Sequence, residues 1–316
     1  VEQISLGNWF SCALFSNGKV KCWGKGSQGR LGNGGYLNIG SGNYTISQAS
    51  FVILGSGCTN PQYLTESECN NNYHSWGANQ AIQISCGRRH CCALISNGTV
   101  KCWGNGASGQ LGNGSANSSS TPVSVSNIST ATAVTGGGDH TCALLENKSI
   151  QCWGRGSEGQ LGNGSTDSQT TPVSVSNISS AIAISAGKQH SCALLDNNSI
   201  QCWGEGGYGQ IGNGSTSDQT TPVSVSSIST ATAIDSGRGG NCARLSNGTI
   251  NCWGVWTTAC QGNSSCIDNT SPVAISSISN ADNVTKGGNS CALLSDGTIK
   301  CWGNGQYGCS MEYSPG

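Results

Sequence analysis

Cysteine and histidine are the residues of this 316-residue chain whose spacing could support chemistry. Six cysteines are each followed ten residues later by a second cysteine that opens a Cys-Trp-Gly triplet. Cysteines in such an array could form disulfides, bind a metal or supply a thiol nucleophile. The six pairs are Cys12–Cys22, Cys92–Cys102, Cys142–Cys152, Cys192–Cys202, Cys242–Cys252 and Cys291–Cys301.

The residues between the paired cysteines favour disulfides over the other two chemistries. Each pair encloses Asn-Gly, Asp-Gly, Asn-Lys or Asn-Asn, which is typical of a tight hairpin turn. Facing residues of an antiparallel pair lie about 4.5–5.5 Å apart at Cα, a distance that a disulfide tolerates. Two ligands on one hairpin do not gather the four donors that a metal site needs. We therefore expect a disulfide in each hairpin and an oxidising compartment.

Seven of the 19 cysteines lie outside these hairpins. We predict that Cys58–Cys69 and Cys260–Cys266 each close a short loop. Cys86–Cys91 is a further candidate pair, although Cys91 abuts Cys92 and the partners could be exchanged. Cys309 then remains alone, and an odd cysteine in a secreted protein indicates intermolecular pairing or a reactive thiol.

The histidines recur at one position, two residues before the first hairpin cysteine, in His90, His140 and His190. Other copies of the pattern place Phe10, Gly240 and Asn289 there, a variation that a catalytic or ligand role would not tolerate. His90 beside Cys91 could mimic a thiol dyad, but a disulfide-rich setting disfavours a free thiolate. Gly-x-Gly-x-x-Gly follows a hairpin rather than opening a helix, so it predicts no nucleotide site. We expect no enzyme, no cofactor and no metal site.

The positions of the cysteines reflect a longer repeat. The tryptophans of the Cys-Trp-Gly triplets are spaced by 80, 50, 50, 50 and 49 residues, and a fixed period of this size predicts a propeller or solenoid. Short β-branched runs bounded by Gly, Asn and Ser predict three or four strands in each repeat. The sequence therefore predicts an all-β fold, a single β-propeller over residues 1–316 with six countable blades. We expect residues 55–79 to form a disulfide-tied insertion between repeats one and two.

The repeat resembles that of the regulator of chromosome condensation family. One copy carries the resemblance in His140, Cys142, Ala143, Leu144, Leu145, Trp153, Gly154, Gly159, Gln160, Leu161, Gly162, Asn163, Gly164, Thr171, Pro172 and Val173. The resemblance implies four-stranded blades, usually seven of them. The disulfides make the chain look like a secreted branch of that family rather than its nuclear exchange factor.

The number of repeats departs from the family pattern. Only six are countable, and five outer strands are visible, near Phe51, Val123, Val173, Val223 and Val273. The sixth outer strand would come from Ser310–Ser314 or from another molecule, because proteins normally close or exploit a free strand edge. A six-bladed ring, a seven-bladed ring and an incomplete ring completed by a neighbouring chain all remain open.

Composition excludes some partners. The net charge is −1 and only 9% of residues are charged, so no basic face is expected for nucleic acid. No apolar run reaches eighteen residues, so the sequence predicts no membrane span. The chain begins at Val1, and we expect a removed signal peptide and an extracellular location, secreted or at the cell surface.

Asn-x-Ser/Thr sequons are frequent, as expected for a glycoprotein. Those at Asn113, Asn163 and Asn213 lie inside a recurring Gly-Asn-Gly-Ser turn, where asparagine serves the backbone. The remaining candidates for glycosylation are Asn43, Asn97, Asn117, Asn127, Asn147, Asn177, Asn197, Asn247, Asn263, Asn269 and Asn283.

Two functions fit these features. The first is an extracellular structural propeller that assembles with itself, into a homopolymer or filament, through the seam between its chain ends. The second is a secreted binding propeller, such as a protein inhibitor, an adhesin or a lectin-like protein, whose partner is an extracellular protein or glycan. Aromatic residues where the repeat is broken form its candidate contact surface: Tyr63, Tyr73, Trp76 and Trp256.

Overall fold

The computed structural model describes residues 1–40, 49–54, 80–255, 268–287, 289–303 and 312–313. Within these ranges the chain forms six antiparallel sheets of four strands, each built from one stretch of chain in sequential order. The strands of blades 1 to 3 are β1 Gln3–Gly7, β2 Phe10–Leu14, β3 Val20–Gly24, β4 Phe51–Val52, β5 Ala81–Cys86, β6 His90–Ile95, β7 Val100–Gly104, β8 Ser119–Ser124, β9 Ala131–Gly136, β10 His140–Leu145, β11 Ile150–Gly154 and β12 Gln169–Ser174.

Blades 4 to 6 repeat the arrangement, so the expected all-β, six-bladed propeller is confirmed. A 3₁₀ turn at Ser27–Gly29 is the one helical element that the described ranges contain. The strands of these blades are β13 Ala181–Ala186, β14 His190–Leu195, β15 Ile200–Gly204, β16 Gln219–Ser224, β17 Ala231–Ser236, β18 Gly240–Leu245, β19 Ile250–Gly254, β20 Asn269–Ala274, β21 Ala281–Lys286, β22 Ser290–Leu294, β23 Ile299–Trp302 and β24 Glu312–Tyr313.

A disulfide joins the two strands of the central hairpin in each blade. In blade 3, Cys142 of β10 lies directly opposite Cys152 of β11, and their disulfide spans a Cα–Cα distance of 4.1 Å. The turn at the hairpin tip requires one residue in the left-handed conformation, which is Gly98 in blade 2 but Lys148 in blade 3, at φ 63°. A non-glycine residue in this conformation is strained, and the disulfide-braced hairpin around Lys148 holds it there.

Each sheet has two different faces, and neighbouring blades are held together by contacts between them. The front face comprises the hairpin cysteines and the apolar residues between them, such as Leu144 and Ile150 in blade 3. The back face comprises an alanine of the second strand and the Cys-Trp-Gly tryptophan, such as Ala193 and Trp203 in blade 4, with the first-strand residues beside them. The front face of each of the first five blades packs on the back face of the next.

A polar relay crosses each of three junctions. Ser191 of blade 4 donates its hydroxyl hydrogen to the carbonyl of Gln160, at 3.1 Å, and Trp203 Nε1 donates to the same carbonyl at 3.0 Å. The Ser191 oxygen therefore accepts from His140 Nε2 of blade 3, at 2.9 Å, which assigns the proton to Nε2. Thr141 and Asn241 occupy the place of Ser191 opposite His90 and His190. The repeat histidines are thus framework residues, fully buried between blades.

These buried histidines predict a loss of stability in acid. Burial lowers the pKa of His90 and His190 to about 4, and the pKa of His140 to about 3, where the neighbouring histidines add repulsion. Because the ordinary pKa of 6.5 is higher, the unfolded chain binds more protons between these values. The free energy of unfolding should fall as pH drops from about 6.5 towards 4, in total by on the order of several kcal/mol. Denaturant unfolding at a series of pH values measures this fall.

The His140→Phe variant is the matched control, because blade 1 carries Phe10 at the same position. It removes one titrating group, so its stability should depend less steeply on pH over this range. An unchanged slope in the variant would contradict the assignment.

Candidate functional site at the terminal blades

The front face of blade 6 is not covered. Leu293 and Ile299 occupy the positions of Leu144 and Ile150, yet their exposed fractions are 43% and 40%, against 5% and 0%. The same two positions are also buried in blades 2 and 4. At this end the chain therefore exposes an apolar surface whose counterparts in other blades are buried.

The back face of blade 1 is exposed in the same way. Ile4 is 60% exposed, whereas Ile84, at the equivalent place in blade 2, is fully buried. Val1 and Leu6 beside it are also exposed. Trp23 is only partly buried, while its counterparts in blades 2 to 5 are completely enclosed. Blade 1 thus lacks the neighbour that every other blade has on this side.

Hydrogen bonds between blades lead to the same conclusion. At each of five junctions the last residue of the first strand donates its backbone N–H to a side-chain oxygen of the preceding blade. The bonds are Cys86 to Ser5, Gly136 to Ser85, Ala186 to Thr135, Ser236 to Ser185 and Lys286 to Asp235, at 2.7–3.2 Å. No such bond joins blade 6 to blade 1 in the part of the chain that is described. Within the described residues, the six blades therefore form an arc whose two ends do not pack together.

The C-terminal strand settles which chain supplies the sixth outer strand. Strand β24 pairs with β23, with Tyr313 opposite Ile299 and Glu312 opposite Lys300. Blade 6 therefore takes its outer strand from its own chain, within the segment that the sequence suggested, and not from another molecule. The unsatisfied surface at this end is a sheet face and not a missing strand.

The cysteines of the described residues are joined within single blades. Besides the six hairpin disulfides, Cys86 is bonded to Cys91, across β5 and β6. The sulfurs of Cys12, Cys86 and Cys91 lie within 4.8 Å of one another, but each is already bonded in a disulfide and offers no thiolate to a metal.

Several predicted site residues lie outside the described residues, and their arrangement stays a prediction. They are the pairs Cys58–Cys69 and Cys260–Cys266, Cys309, the contact residues Tyr63, Tyr73, Trp76 and Trp256, and the sequons at Asn43 and Asn263. The insertion over residues 55–79 also falls there. In the described ranges there is no helix of the length and apolarity needed to cross a bilayer.

Comparison with known families identifies the repeat. Two family models, both described as the regulator of chromosome condensation (RCC1) repeat, together match more than half of the chain. The matched residues are 97–144, 150–194 and 199–243 for the first, and 1–30, 81–110, 131–160, 181–210 and 285–309 for the second. The protein belongs to the RCC1-repeat family, as the sequence pattern suggested.

Individual relatives are distant. The chain is 27% identical over 147 residues to the probable E3 ubiquitin-protein ligase HERC3 of Homo sapiens, covering 39% of this chain but only 14% of HERC3. Human WBSCR16 has a similar structure, with a TM-score of 0.76, 18% identity, and coverage of 96% of this chain and 77% of that one. Yeast RCC1 (Prp20), solved bound to Kap60, gives a TM-score of 0.74, 20% identity, and coverage of 96% and 70%. The structural similarities establish the fold.

Matched leucine variants test whether the blade 6 face is unpartnered in the monomer. Leu144→Ala removes a buried side chain and should cost about 2–5 kcal/mol in the free energy of unfolding. Leu293→Ala, at the equivalent but exposed position, should cost less than about 1 kcal/mol. Denaturant unfolding of dilute protein measures both. Equal costs would show that the face is covered.

Proposed function

We propose that this protein is an extracellular, non-enzymatic assembly propeller whose copies join head to tail through the terminal blades. The front face of blade 6 in one copy packs on the back face of blade 1 in the next. The observation that carries the proposal is the exposure of Leu293 and Ile299 at one end and of Ile4 at the other. Each face is the counterpart of one that is buried at the five internal junctions, so the second copy supplies a surface of the required shape.

The contact joins two different surfaces, so it is heterologous. Such a contact generates a ring if its rotation closes and an open helical filament if it does not. The low net charge of −1 opposes this association only weakly. Cys309, predicted to be left over by the disulfide count, could add a covalent link near the same end of the sequence.

The extracellular location is supported by the disulfides and by the sequons. Disulfides persist in oxidising compartments and are rare in the cytosol. At the hairpin tips, Asn147, Asn197 and Asn247 are exposed, and each amide oxygen accepts the hydroxyl of the residue two places on, at 2.7 Å. These sequons therefore lie at accessible turns.

The non-enzymatic role is supported by the burial and the hydrogen bonds of the candidate catalytic groups. The repeat histidines are buried, and their Nε2 atoms are engaged between blades. HERC3 carries a ligase name, but this chain matches only 14% of its length.

A binding propeller for an extracellular protein or glycan is the second candidate. Yeast RCC1 was solved bound to Kap60, so a protein that contains a propeller of this fold can take a protein partner. A cavity lined by cations on the propeller axis also favours binding of a ligand.

Variants at the two ends test the assembly. Wild-type protein should form oligomers that grow with concentration in sedimentation velocity and appear as chains or rings by electron microscopy. Leu293→Asp with Ile299→Asp should give monomers, because two carboxylates would be buried without partners. Ile182→Asp, which changes an exposed isoleucine of blade 4, should assemble as wild type does. A wild-type protein that stays monomeric at every concentration would refute the proposal.

Mixing distinguishes a head-to-tail contact from a symmetric one. Ile4→Asp blocks the back face of blade 1, and the double variant above blocks the front face of blade 6. Each should be monomeric alone, and together they should form a one-to-one dimer through the two intact faces. Assembly of the Cys309→Ser variant would show that packing, rather than a disulfide, carries the contact.

Glycan occupancy tests the location. Protein from its native source should carry N-glycans at exposed sequons, including Asn147, Asn197 and Asn247, and lose the corresponding mass on enzymatic deglycosylation. Asn113 lies inside the Gly-Asn-Gly-Ser turn and is less exposed than the three hairpin-tip asparagines, so it should remain unmodified. Fully unmodified asparagines would contradict the glycoprotein assignment.

A further inference from the structure

The axis of the propeller holds a cavity of about 670 Å³ at one end of the blades. All six blades line it through the turns that join their first and second strands. The volume lies within the range of small-ligand sites, and a cavity shared by several elements is a frequent location for them.

Cations are concentrated at this cavity in a chain that has few charges. The second residue of the lining turn is basic in three blades: Arg88, Lys188 and Arg238. No acidic residue lines the cavity among those described. Asp139 forms an ion pair with Arg88, whose buried Nε nevertheless has no hydrogen-bond partner. Lys188 and Arg238, on consecutive blades, form no ion pair within the described part of the chain.

The turns that carry these cations are rigid. The Arg88 N–H donates to the carbonyl of Gly137 at 3.2 Å, and the Lys188 N–H donates to that of Gly237 at 3.3 Å. A Cβ on Gly187 would lie 2.6 Å from the Gly237 oxygen, so the blades approach too closely for any other residue there. The backbone that carries the cations is therefore held in place by the neighbouring blades, so binding of an anion there would not require the turns to rearrange.

A second cavity, of about 440 Å³, adjoins the same two cations. Lys188 and Arg238 line it together with Gln189, Glu205 and Tyr208. Tyr208 is half exposed and offers an aromatic surface, and Gln189 offers both a donor and an acceptor. The cations, the tyrosine ring and the amide together offer contacts for both the charged group and the ring of a charged sugar. The Glu205 carboxylate in the same lining accepts a hydrogen bond from Gln210 Nε2 at 3.0 Å, and burial raises its pKa while the charge of Lys188 nearby acts to lower it.

We propose that Lys188 and Arg238 bind the carboxylate or sulfate group of an anionic sugar, with its ring beside Tyr208. This site goes beyond the assembly function and does not depend on it, because the cations lie on the axis and not on the terminal faces. Arginine and lysine both form charge-assisted hydrogen bonds with oxyanions, and the planar guanidinium can do so in a bidentate manner.

Calorimetric titration at low ionic strength tests the proposal, with glucuronate, glucose 6-sulfate and neutral glucose as probes. At least one of the two acidic sugars should bind saturably, and glucose should bind at least about tenfold more weakly, since the charged contacts carry the affinity. Tighter binding of glucuronate would identify a carboxylate as the preferred group, and tighter binding of glucose 6-sulfate would identify a sulfate. Absence of saturable binding by both acids at millimolar concentration would overturn the proposal.

Charge-matched variants locate the site. Lys188→Ala with Arg238→Ala should weaken binding of the acidic sugar at least about tenfold. Lys101→Ala with Lys148→Ala removes the same charge elsewhere and should leave binding unchanged. Equal losses in the two double variants would show a non-specific effect of net charge and overturn the assignment.

Tyr208→Ala and inorganic sulfate separate a sugar site from a simple anion site. Tyr208→Ala should weaken the acidic sugar several-fold and leave the affinity for inorganic sulfate unchanged. If the variant affects neither, and sulfate competes as tightly as the sugar, the site recognises only an oxyanion and the sugar proposal is wrong. Far-ultraviolet circular dichroism of each variant confirms that it is folded.

Discussion

The packing of one blade's front face on the next blade's back face is the interaction on which this structure depends. A single four-stranded sheet with apolar residues on both faces cannot bury them alone, so each blade requires a neighbour on either side. A fully buried leucine, isoleucine or valine contributes about 1.5–3 kcal/mol relative to exposure. The junction is therefore stabilised by its paired faces, and it repeats five times, with Arg244 in the place of Leu144 in blade 5.

Polar groups make this packing directional. The carbonyl of Gln160 accepts from Trp203 and from Ser191, and the Ser191 oxygen in turn accepts from His140, so donors and acceptors at the junction match in one arrangement. A slip of one residue would leave these buried groups without partners, at a cost of about 1–3 kcal/mol each. Replacement of histidine by Phe10 in blade 1 shows that apolar packing can take its place.

The sequence determined the regular part of the fold because its signals are local. The ten-residue cysteine spacing specifies a hairpin, and the fifty-residue period specifies the blades, so both could be predicted from the amino-acid sequence. The exposure of Leu293 could not be predicted in this way, because the sequence of its hairpin resembles that of the hairpin that contains Leu144. Whether a face is covered depends on the curvature summed over six blades, which no single repeat encodes. The cluster of cations at the axial cavity could not be predicted from the sequence either. Arg88, Lys188 and Arg238 come together only when the turns converge in the folded protein.

The disulfides explain why the ends of the arc matter. Every disulfide among the described residues joins strands of one blade, so each sheet is braced internally and none of these disulfides crosses a blade junction. Among the described residues, cohesion between blades therefore rests on the connecting backbone and on non-covalent packing. An internal blade is held on two faces, whereas blade 1 and blade 6 are each held on one. The sheets at the ends keep their shape without a partner, because their hairpins are stapled, and so they present ordered apolar faces rather than frayed strands. A rigid face of this kind loses little conformational entropy when it is covered, which is the physical condition for a blade junction to form between molecules as it does within one.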